Sequence, residues 1–400
     1  MSIRFVSPCV KESPHGRKGG LRPCNGLWCA MWLGAATLLA GLAGCTNRTA
    51  STSTSVAPPP TAVQNVKARA TLDCKTGDHS EILKASVSLD GKKAIIYVRG
   101  DNSEKNVQVW DLANKKMLDS ADNKNGVAAV AMSPLGLRAA YWSNAGQLQI
   151  LQINGKGKGK GKGKVMNIPN GDSLAEWTNM YAPTGDERFL ICGRKGVYVF
   201  DTLNYSLFQN YLVKGDKDTL LACSKPMDGA HVVVALASGP LQLVDYNVDE
   251  KGKTKGDGQF VFELKHDKQK PASALALSPD FGLTHAKDKK NEFVANGKLA
   301  AVEDNGQITV WDMQEKIVFM TIPIKDAKTT VPSLVFLPDG KTLVYPDEKN
   351  RIILHDVEKD THRAVLEGHT HPVLALDVAP NGVLISGDKG GTLKVWDLPK

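Results

Sequence analysis

Short segments in which apolar and polar residues alternate recur along most of the chain. Three are nearly identical: VQVWDL at 107–112, ITVWDM at 308–313 and LKVWDL at 393–398. Four weaker copies with the same alternation lie at 148–153, 197–202, 241–246 and 352–357. Because alternation with a period of two is typical of a half-buried β-strand, all seven segments are predicted to be strands.

A second series of signals, made of tight turns that interrupt apolar runs, marks the same repeats. These turns lie at 90–91, 134–136, 183–185, 228–229, 279–280, 338–340 and 380–382. In four repeats, 16 residues separate the turn from the Asp of the matching segment, or from Gln152 where that Asp is replaced, which leaves room for two short strands. Two further strands complete a unit of roughly 40 to 45 residues, the period of a propeller blade. The sequence therefore predicts an all-β fold, a seven-bladed β-propeller.

The final repeat carries the chain's clearest family signature. It contains a Gly-His pair at 368–369 and a Trp-Asp pair at 396–397, and with them the chain resembles the WD40-repeat β-propeller family. In that family the His bonds with a Ser or Thr, the Trp indole and a turn Asp, and so locks the strands of a blade. The resemblance implies this structural blade lock for His369, Ser386 and Trp396. The turn Asp is expected to be missing, because Gly390 stands where the family usually has it, with Asp388 two residues earlier.

The other repeats keep less of the signature. The resemblance gives Trp110 and Trp311 as further lock positions, with His79 as a candidate partner in the first repeat. The last blade has three strands up to Asp397, so a fourth is expected from elsewhere in the chain. Residues 67–72 precede the first blade, and their pairing with the last blade would close the ring without an exposed sheet edge.

The N-terminal region is typical of an exported protein. Basic residues precede an uncharged stretch at 27–44, which is the layout of a signal peptide. The tetrapeptide LAGC at 42–45 resembles the lipobox of bacterial lipoproteins, which implies a signal peptide at 1–44 and a lipid on Cys45. Residues 45–65 then form a Ser/Thr/Pro-rich tether to a propeller at 66–400, since the tether lacks the apolar content to fold. A plain signal peptide or an uncleaved anchor is the alternative.

The net charge of +8 does not indicate a nucleic-acid partner, because the leader and one tract account for the whole excess. The tract consists of five lysines that alternate with glycine: Lys156, Lys158, Lys160, Lys162 and Lys164. Two further Lys-rich insertions lie at 250–256 and 286–290 and are expected on the same face of the ring. They predict a cationic rim that could meet anionic lipids or acidic polymers, or, as the alternative, solvated loops without a specific role.

Candidate chemistry is sparse. The three cysteines after the tether, Cys74, Cys192 and Cys223, are an odd number, and we expect buried free thiols. Although His362, His369 and His371 lie close in sequence, no Cys or carboxylate joins them at metal-ligand spacing, so neither a metal nor a cofactor is predicted.

The favoured interpretation is a non-enzymatic protein-interaction scaffold or sensor that binds a protein or peptide partner. We expect a monomeric ring that is exported to the cell envelope and anchored there by a lipid. By family analogy we expect the partner on the face with the second-to-third strand turns, at 143–147, 193–196, 303–306 and 347–350. The alternative is a propeller enzyme, lactonase-like or quinone-dependent dehydrogenase-like, which predicts acidic or His side chains converging over the central channel.

Overall fold

The computed structural model describes residues 64–153, 164–167, 179–182, 188–204, 206–213, 218–246, 259–264, 270–286, 289–324 and 331–398. Within these residues the protein is all-β, and the predicted seven-bladed propeller is confirmed. No helix in these ranges is both long and apolar enough to span a bilayer.

Each blade is a four-stranded antiparallel sheet, and we label its strands a to d from the central channel outward. Two strands precede the first blade, β1 (Gln64–Val66) and β2 (Ala70–Asp73). In the order a to d, the other strands are: blade 1, β3 (Glu81–Val87), β4 (Lys93–Arg99), β5 (Val107–Asp111), β6 (Lys116–Ala121); blade 2, β7 (Val127–Met132), β8 (Arg138–Ser143), β9 (Gln147–Gln152), β10 (Lys164–Asn167); blade 3, β11 (Asn179–Tyr181), β12 (Arg188–Gly193), β13 (Gly196–Asp201), β14 (Ser206–Leu212).

The remaining blades follow the same order. They are: blade 4, β15 (Leu220–Cys223), β16 (His231–Leu236), β17 (Leu241–Asp245), β18 (Gln259–Leu264); blade 5, β19 (Ala272–Leu277), β22 (Lys298–Glu303), β23 (Gln307–Asp312), β24 (Ile317–Pro323); blade 6, β25 (Val335–Phe336), β26 (Thr342–Pro346), β27 (Ile352–Asp356), β28 (Thr361–Leu366); blade 7, β29 (Val373–Val378), β30 (Val383–Asp388), β31 (Thr392–Asp397) and β2. The ab and cd turns share one face of the ring, the ab/cd face, and the bc turns and da connections form the other, the bc/da face.

Ring closure by the N-terminal segment is confirmed. Strand β2 pairs antiparallel with β31, from Ala70 opposite Val395 to Asp73 opposite Thr392, and so serves as strand d of blade 7. An ion pair of 2.7 Å between Arg69 and Asp397 lies beside this pairing. The sequence did not predict that β1 adds a fifth strand, parallel to β28, at the outer edge of blade 6. This strand begins at Gln64, two residues before the predicted start of the propeller.

The core lies between the blades. In the described residues the buried apolar side chains form seven clusters, one at each boundary between neighbouring blades. The alternating strand pattern explains this, since successive side chains point to opposite faces of a sheet and each face meets a different neighbour. Trp311 is 1% exposed at the boundary of blades 4 and 5, and Trp396 is fully buried between blades 6 and 7.

The Asp that ends strand c has a local structural role. In four blades its Oδ1 accepts hydrogen bonds from the backbone N–H groups two and three residues later and so caps the cd turn; these are Asp111, Asp201, Asp312 and Asp356. The Ser before the ab turn acts similarly in four blades, because its hydroxyl accepts a backbone N–H from the start of strand b; these are Ser88, Ser133, Ser224 and Ser278. Both repeated signals therefore fix turns on the ab/cd face.

The long ab connection of blade 5 is a hairpin, where the sequence indicated a turn with a Lys-rich insertion. Its strands are β20 (Gly282–Ala286) and β21 (Lys289–Asn296). Phe281 and Ala295 are buried against the cluster between blades 4 and 5, and Leu283 packs beside them. Burial of these side chains gives the insertion a folded base.

Candidate functional site

The inner edge of the ring is closed by hydrogen bonds between neighbouring a strands. The hydroxyl of Ser86 accepts the N–H of Met132 at 3.1 Å, and Tyr181 donates its hydroxyl to the carbonyl of Cys223 at 2.9 Å. An edge strand exposes backbone groups that otherwise need water or another strand, and here side chains of the next blade satisfy several of them. Burial, and secondarily the negative charge of Asp377, raises the pKa of Tyr181, so its hydroxyl stays protonated and donates.

An ion pair crosses the central channel. Lys225 follows strand a of blade 4 and Asp377 lies in strand a of blade 7, and their Nζ and Oδ1 atoms are 3.1 Å apart. The second oxygen of Asp377 accepts the N–H of Val87 in blade 1 at 2.8 Å. Lys84 lies on the same inner strand as Val87, and burial lowers its pKa. The arrangement joins three blades through one carboxylate.

The structure brings His369, Ser386 and Trp396 together in blade 7. Ser386 Oγ lies 2.6 Å from His369 Nε2 and accepts the indole N–H of Trp396 at 2.8 Å. The expectation that the turn Asp is missing was wrong, because Asp388 Oδ2 lies 2.7 Å from His369 Nδ1. Gly390 donates its backbone N–H to this same Asp, at 2.9 Å. The acid two residues earlier thus completes a buried four-residue network.

The electrostatics of this network favour an ionised Asp388. Burial acts to raise the pKa of its carboxyl group, but hydrogen bonds from His369 and from the backbone N–H groups of Thr392 and Gly390 outweigh burial and lower the pKa. The side chains of His369 and Asp388 are 0% and 1% exposed, so the pair is shielded from solvent. Such a network rigidifies the bc turn that it spans.

The corresponding positions of the other blades differ. Trp110 donates its indole N–H to Gln108 Oε1 at 2.8 Å, and Gln108 donates in turn to the carbonyl of Cys74 at 2.9 Å. The candidate His79 does not join this bond chain, since its side chain is 87% exposed and lies 3.1 Å from Asp101. Trp311 is buried at the boundary of blades 4 and 5. The indoles of Trp110 and Trp396 thus donate to different acceptors, Gln108 and Ser386, which the repeat pattern alone does not show.

The three clustered histidines have separate surroundings. His369 belongs to the network of blade 7, His371 Nδ1 lies 3.0 Å from the hydroxyl of Thr370, and His362 packs edge-on against His355 with ring centroids 5.5 Å apart. In the described part of the chain, no three His, Cys, Asp or Glu side chains are placed to hold a metal ion together.

A groove follows the outer boundary between blades 7 and 1, which we call the seam, and opens toward the bc/da face. Its volume is about 470 Å³. Trp110, Gln108 and Met117 of blade 1 form its floor, while Lys75 and Lys105 lie at its rim. The indole of Trp110 is held by Gln108, so the floor is preorganised. The seam has room here because the closing strand β2 is only four residues long.

The exposed apolar side chains are concentrated on the other face. Of nine large apolar side chains that are exposed in the described residues, only Leu212 lies at the bc/da end of its strand. The other eight lie in ab or cd turns, in the blade 5 hairpin or near the cd end of strand d: Leu89, Leu135, Leu137, Leu203, Phe260, Val294, Ile317 and Phe319. Sequence reasoning missed this asymmetry, although leucines at two of the seven turn signals were visible at 89, 135 and 137.

The Lys-Gly tract connects β9 to β10, so both of its ends are on the ab/cd face. Lys164 is the first residue of β10, whereas Lys156, Lys158, Lys160 and Lys162 lie outside the described residues, as does the insertion at 250–256. Cys45, the signal peptide and most of the tether also lie outside them.

The expectation of three free thiols was wrong for two of them. Cys192 of blade 3 and Cys223 of blade 4 form a disulfide, with Cα atoms 6.3 Å apart. The odd cysteine is Cys74, which is buried and free. The pairing needs neighbouring strands of adjacent blades, a relationship that cysteine counting alone does not give.

A family model described as "WD domain, G-beta repeat" matches residues 360–397, which span strand d of blade 6 and strands a to c of blade 7. The network of His369, Ser386, Asp388 and Trp396 lies inside this match.

Several curated proteins are similar to parts of the chain. Protein transport protein SEC31 of Dictyostelium discoideum is 27% identical over 174 residues, 41% of this chain and 13% of that protein. Ribosome biogenesis protein YTM1 of Eremothecium gossypii is 29% identical over 114 residues, 26% of this chain and 25% of that protein. The THO complex subunit 6 homolog of Danio rerio is 26% identical over 143 residues, 31% of this chain and 44% of that protein. The chain thus spans less than half the length of each of these relatives.

Proposed function

We propose that this seven-bladed propeller of the WD40 type is a non-enzymatic scaffold that binds a polypeptide partner and is held at a membrane on the exported side by a lipid on Cys45. The observation that carries the binding part is the seam groove on the bc/da face. A groove of about 470 Å³ with an aromatic and aliphatic floor and charged residues at its rim has the character of a recognition site.

The composition of the groove favours a polypeptide segment that has both apolar and charged side chains. Asp73 and Glu104 line it together with Lys75 and Lys105, so both signs of charge border the apolar floor. A partner could place an apolar side chain over Trp110 and Met117 and pair its own charges at the rim, the usual anatomy of a binding hot spot. The relatives' names, which refer to protein transport, ribosome biogenesis and a THO complex subunit, agree with a role in assemblies.

The central channel supports a scaffold over the alternative of an enzyme with a site above the channel. Such an enzyme needs acidic or His side chains that are free to act on a substrate or hold a cofactor. In the described part of the channel, Asp377 is engaged by Lys225 and by a backbone N–H of blade 1. The carboxylate therefore has a structural task, joining opposite sides of the ring.

Export is supported by the leader and by the disulfide. Disulfides persist in oxidising compartments and are rare in the cytosol, so the Cys192–Cys223 bond agrees with an exported chain. The relatives named above are eukaryotic, so the assignment to a bacterial cell envelope rests on the lipobox-like LAGC at 42–45. We propose the envelope on that basis.

Polypeptide binding is tested by site-specific photocrosslinking in intact cells that produce the full chain. A photoreactive residue at Lys105, at the rim of the groove, is expected to give a discrete protein adduct. The same replacement at Lys349, an exposed lysine in the bc turn of blade 6, is the matched control on the same face. Met117→Arg, which fills the groove, should abolish the Lys105 adduct. Equal adducts at both positions would contradict the groove as the binding site.

Lipid attachment is tested on the full chain by metabolic labelling with a fatty acid and by detergent-phase partitioning. We expect label on the wild type and none on Cys45→Ser, which should move to the aqueous phase. A wild-type chain without label, or a Cys45→Ser variant that keeps it, would contradict the anchor.

A further inference from the structure

The ab/cd face of blades 1 to 3 presents a row of leucines at the tips of its turns. Leu89, Leu135, Leu137 and Leu203 are 47%, 66%, 52% and 52% exposed. We propose that this face lies on the surface of an anionic lipid bilayer, with these leucines inserted at the boundary between head groups and acyl chains. Contiguous exposed apolar groups on a soluble domain mark a surface that meets another phase or molecule.

Hydrogen bonds between the turns make the row continuous. The N–H of Leu89 in blade 1 donates to the carbonyl of Pro134 in blade 2 at 3.0 Å. Arg138, which follows Leu137, donates to the hydroxyl of Thr202 in blade 3 at 2.8 Å, beside Leu203. Three blades therefore hold the four leucines on one rigid platform, so little conformational freedom is lost when they insert.

The charges around the row favour an anionic surface. Lys92, Lys115 and Lys116 are exposed on the ab and cd turns of blade 1. The acids of the same turns are Asp90, which pairs with Lys92 at 3.6 Å, and Asp111, so the three lysines outnumber them by one. A lysine near the surface of an anionic leaflet contributes about 1 kcal/mol of attraction.

A second groove of the seam, of about 430 Å³, opens among these lysines on the ab/cd face. Arg69, Lys92 and Lys115 line it together with one carboxylate, Asp90, and Leu112 and Val383 form its apolar part. Cations above an apolar floor suit a phosphate-bearing head group with its adjoining acyl chain.

The direction of β1 agrees with this orientation. Strand β1 runs parallel to β28, with Gln64 opposite Ala364 and Val66 opposite Leu366. Since β28 begins at the cd turn of blade 6, the chain enters β1 from the ab/cd side of the ring. This part of the inference rests on the proposed lipid at Cys45 and uses only the direction of β1, which is compatible with the ab/cd face toward the membrane and the bc/da groove away from it.

The shape of the row favours a lipid surface over a polypeptide. The four leucines are at turns, where they project from the face, whereas polypeptide segments dock in grooves or along free strand edges. Apolar tips surrounded by lysines are the arrangement of proteins that sit in the interfacial layer of a bilayer.

The test uses a chain that begins at Pro59, which contains all strands of the seven blades but neither the leader nor Cys45. Its folding is checked by circular dichroism and melting before use. Binding is measured by co-sedimentation with two kinds of vesicle. The anionic vesicles contain phosphatidylserine and phosphatidylcholine at roughly 30:70, which is on the order of physiological surface charge, and the neutral vesicles contain phosphatidylcholine alone. The variants are Leu135→Ser with Leu137→Ser, and Lys92→Gln with Lys115→Gln and Lys116→Gln. Leu212→Ser is the matched control, because Leu212 is 51% exposed but lies at the other face.

We expect the wild type to bind the anionic vesicles, the double leucine variant to lose about tenfold or more in affinity, and Leu212→Ser to bind like the wild type. The triple lysine variant should lose its preference for phosphatidylserine. Absence of wild-type binding, or an equal loss in Leu212→Ser, would overturn the proposal. So would a wild-type dimer in sedimentation velocity that the double leucine variant converts to monomer, since the row would then be an interface between copies. A negative result leaves the labelling of Cys45 unaffected, because that experiment uses the full chain and does not involve the leucines.

Discussion

Lys225 of blade 4 and Asp377 of blade 7 form an ion pair of 3.1 Å across the central channel, although three blade boundaries separate them the short way round the ring and four the long way. Asp377 also holds the backbone of blade 1 through the N–H of Val87. Closure of the ring at its periphery by β2 is thus matched by a second link at its centre.

The two partners of this pair are expected to contribute unequally to stability. Asp377→Ala removes both the ion pair and the acceptor for Val87, and we expect it to lower the free energy of unfolding by about 3 kcal/mol. Lys225→Met keeps the carboxylate as the acceptor for the Val87 N–H, so we expect a smaller loss, of about 1–2 kcal/mol. Urea denaturation of both variants measures the difference. A larger loss in Lys225→Met would show that Asp377 does not link the blades as described.

The network of blade 7 gives a stability contribution that depends on pH. Because the pKa of Asp388 is lower in the folded chain than its unfolded value of about 3.9, its contribution is fully present above that value and is lost as the pH falls through the folded pKa. Asp388→Asn should therefore cost about 3 kcal/mol at pH 7 and less below pH 4. The exposed Asp304→Asn is the control. If the difference in the free energy of unfolding between Asp388→Asn and the wild type stayed constant from pH 7 to pH 3, the role of an ionised Asp388 would be contradicted.

The propeller was predictable because two independent signals with clear local causes repeat along the chain. The Asp that ends strand c caps the cd turn in four blades, and Gly, Pro and Asp mark the ab turns, so the count of blades follows from sequence. The features that were missed depend on partners far apart in the chain. Lys225 meets Asp377 only once the ring is closed, and Cys192 meets Cys223 only because blades 3 and 4 are neighbours. The turn Asp was misassigned because Asp388 ends strand b, two residues before the position that the family resemblance indicates.

The disulfide is expected to be present and stabilising in the chain from Pro59, which contains only Cys74, Cys192 and Cys223. Burial raises the pKa of the Cys74 thiol, so it should resist alkylation in the folded state. We expect no iodoacetamide adduct on the native protein, one after unfolding and three after unfolding with reduction, measured by mass spectrometry. Cys192→Ala with Cys223→Ala should lower stability by about 2–4 kcal/mol. Two or more adducts without reduction would contradict the bond.

The predicted cationic rim can be separated from the leucine row. Replacing Lys156, Lys158, Lys160, Lys162 and Lys164 by Gln should weaken binding to phosphatidylserine vesicles and reduce its dependence on salt, because surface charges act through screened attraction. The matched control replaces five lysines of the bc/da face, Lys75, Lys105, Lys195, Lys349 and Lys389, with the same change in net charge. Equal weakening by both sets would mean that net charge, and not the rim, determines binding.

The most direct test of the closed ring compares the melting temperatures of two deletions. Removing residues 46–62 leaves β1 and β2 intact, and we expect no change. Removing 46–73 deletes β2, with the buried Ala70 and Leu72, and exposes the edge of β31 and the cluster between blades 7 and 1. We expect a loss of at least about 5 kcal/mol and a melting temperature lower by on the order of 10 °C. Equal melting temperatures for the two deletions would contradict a ring closed by its N-terminal strand.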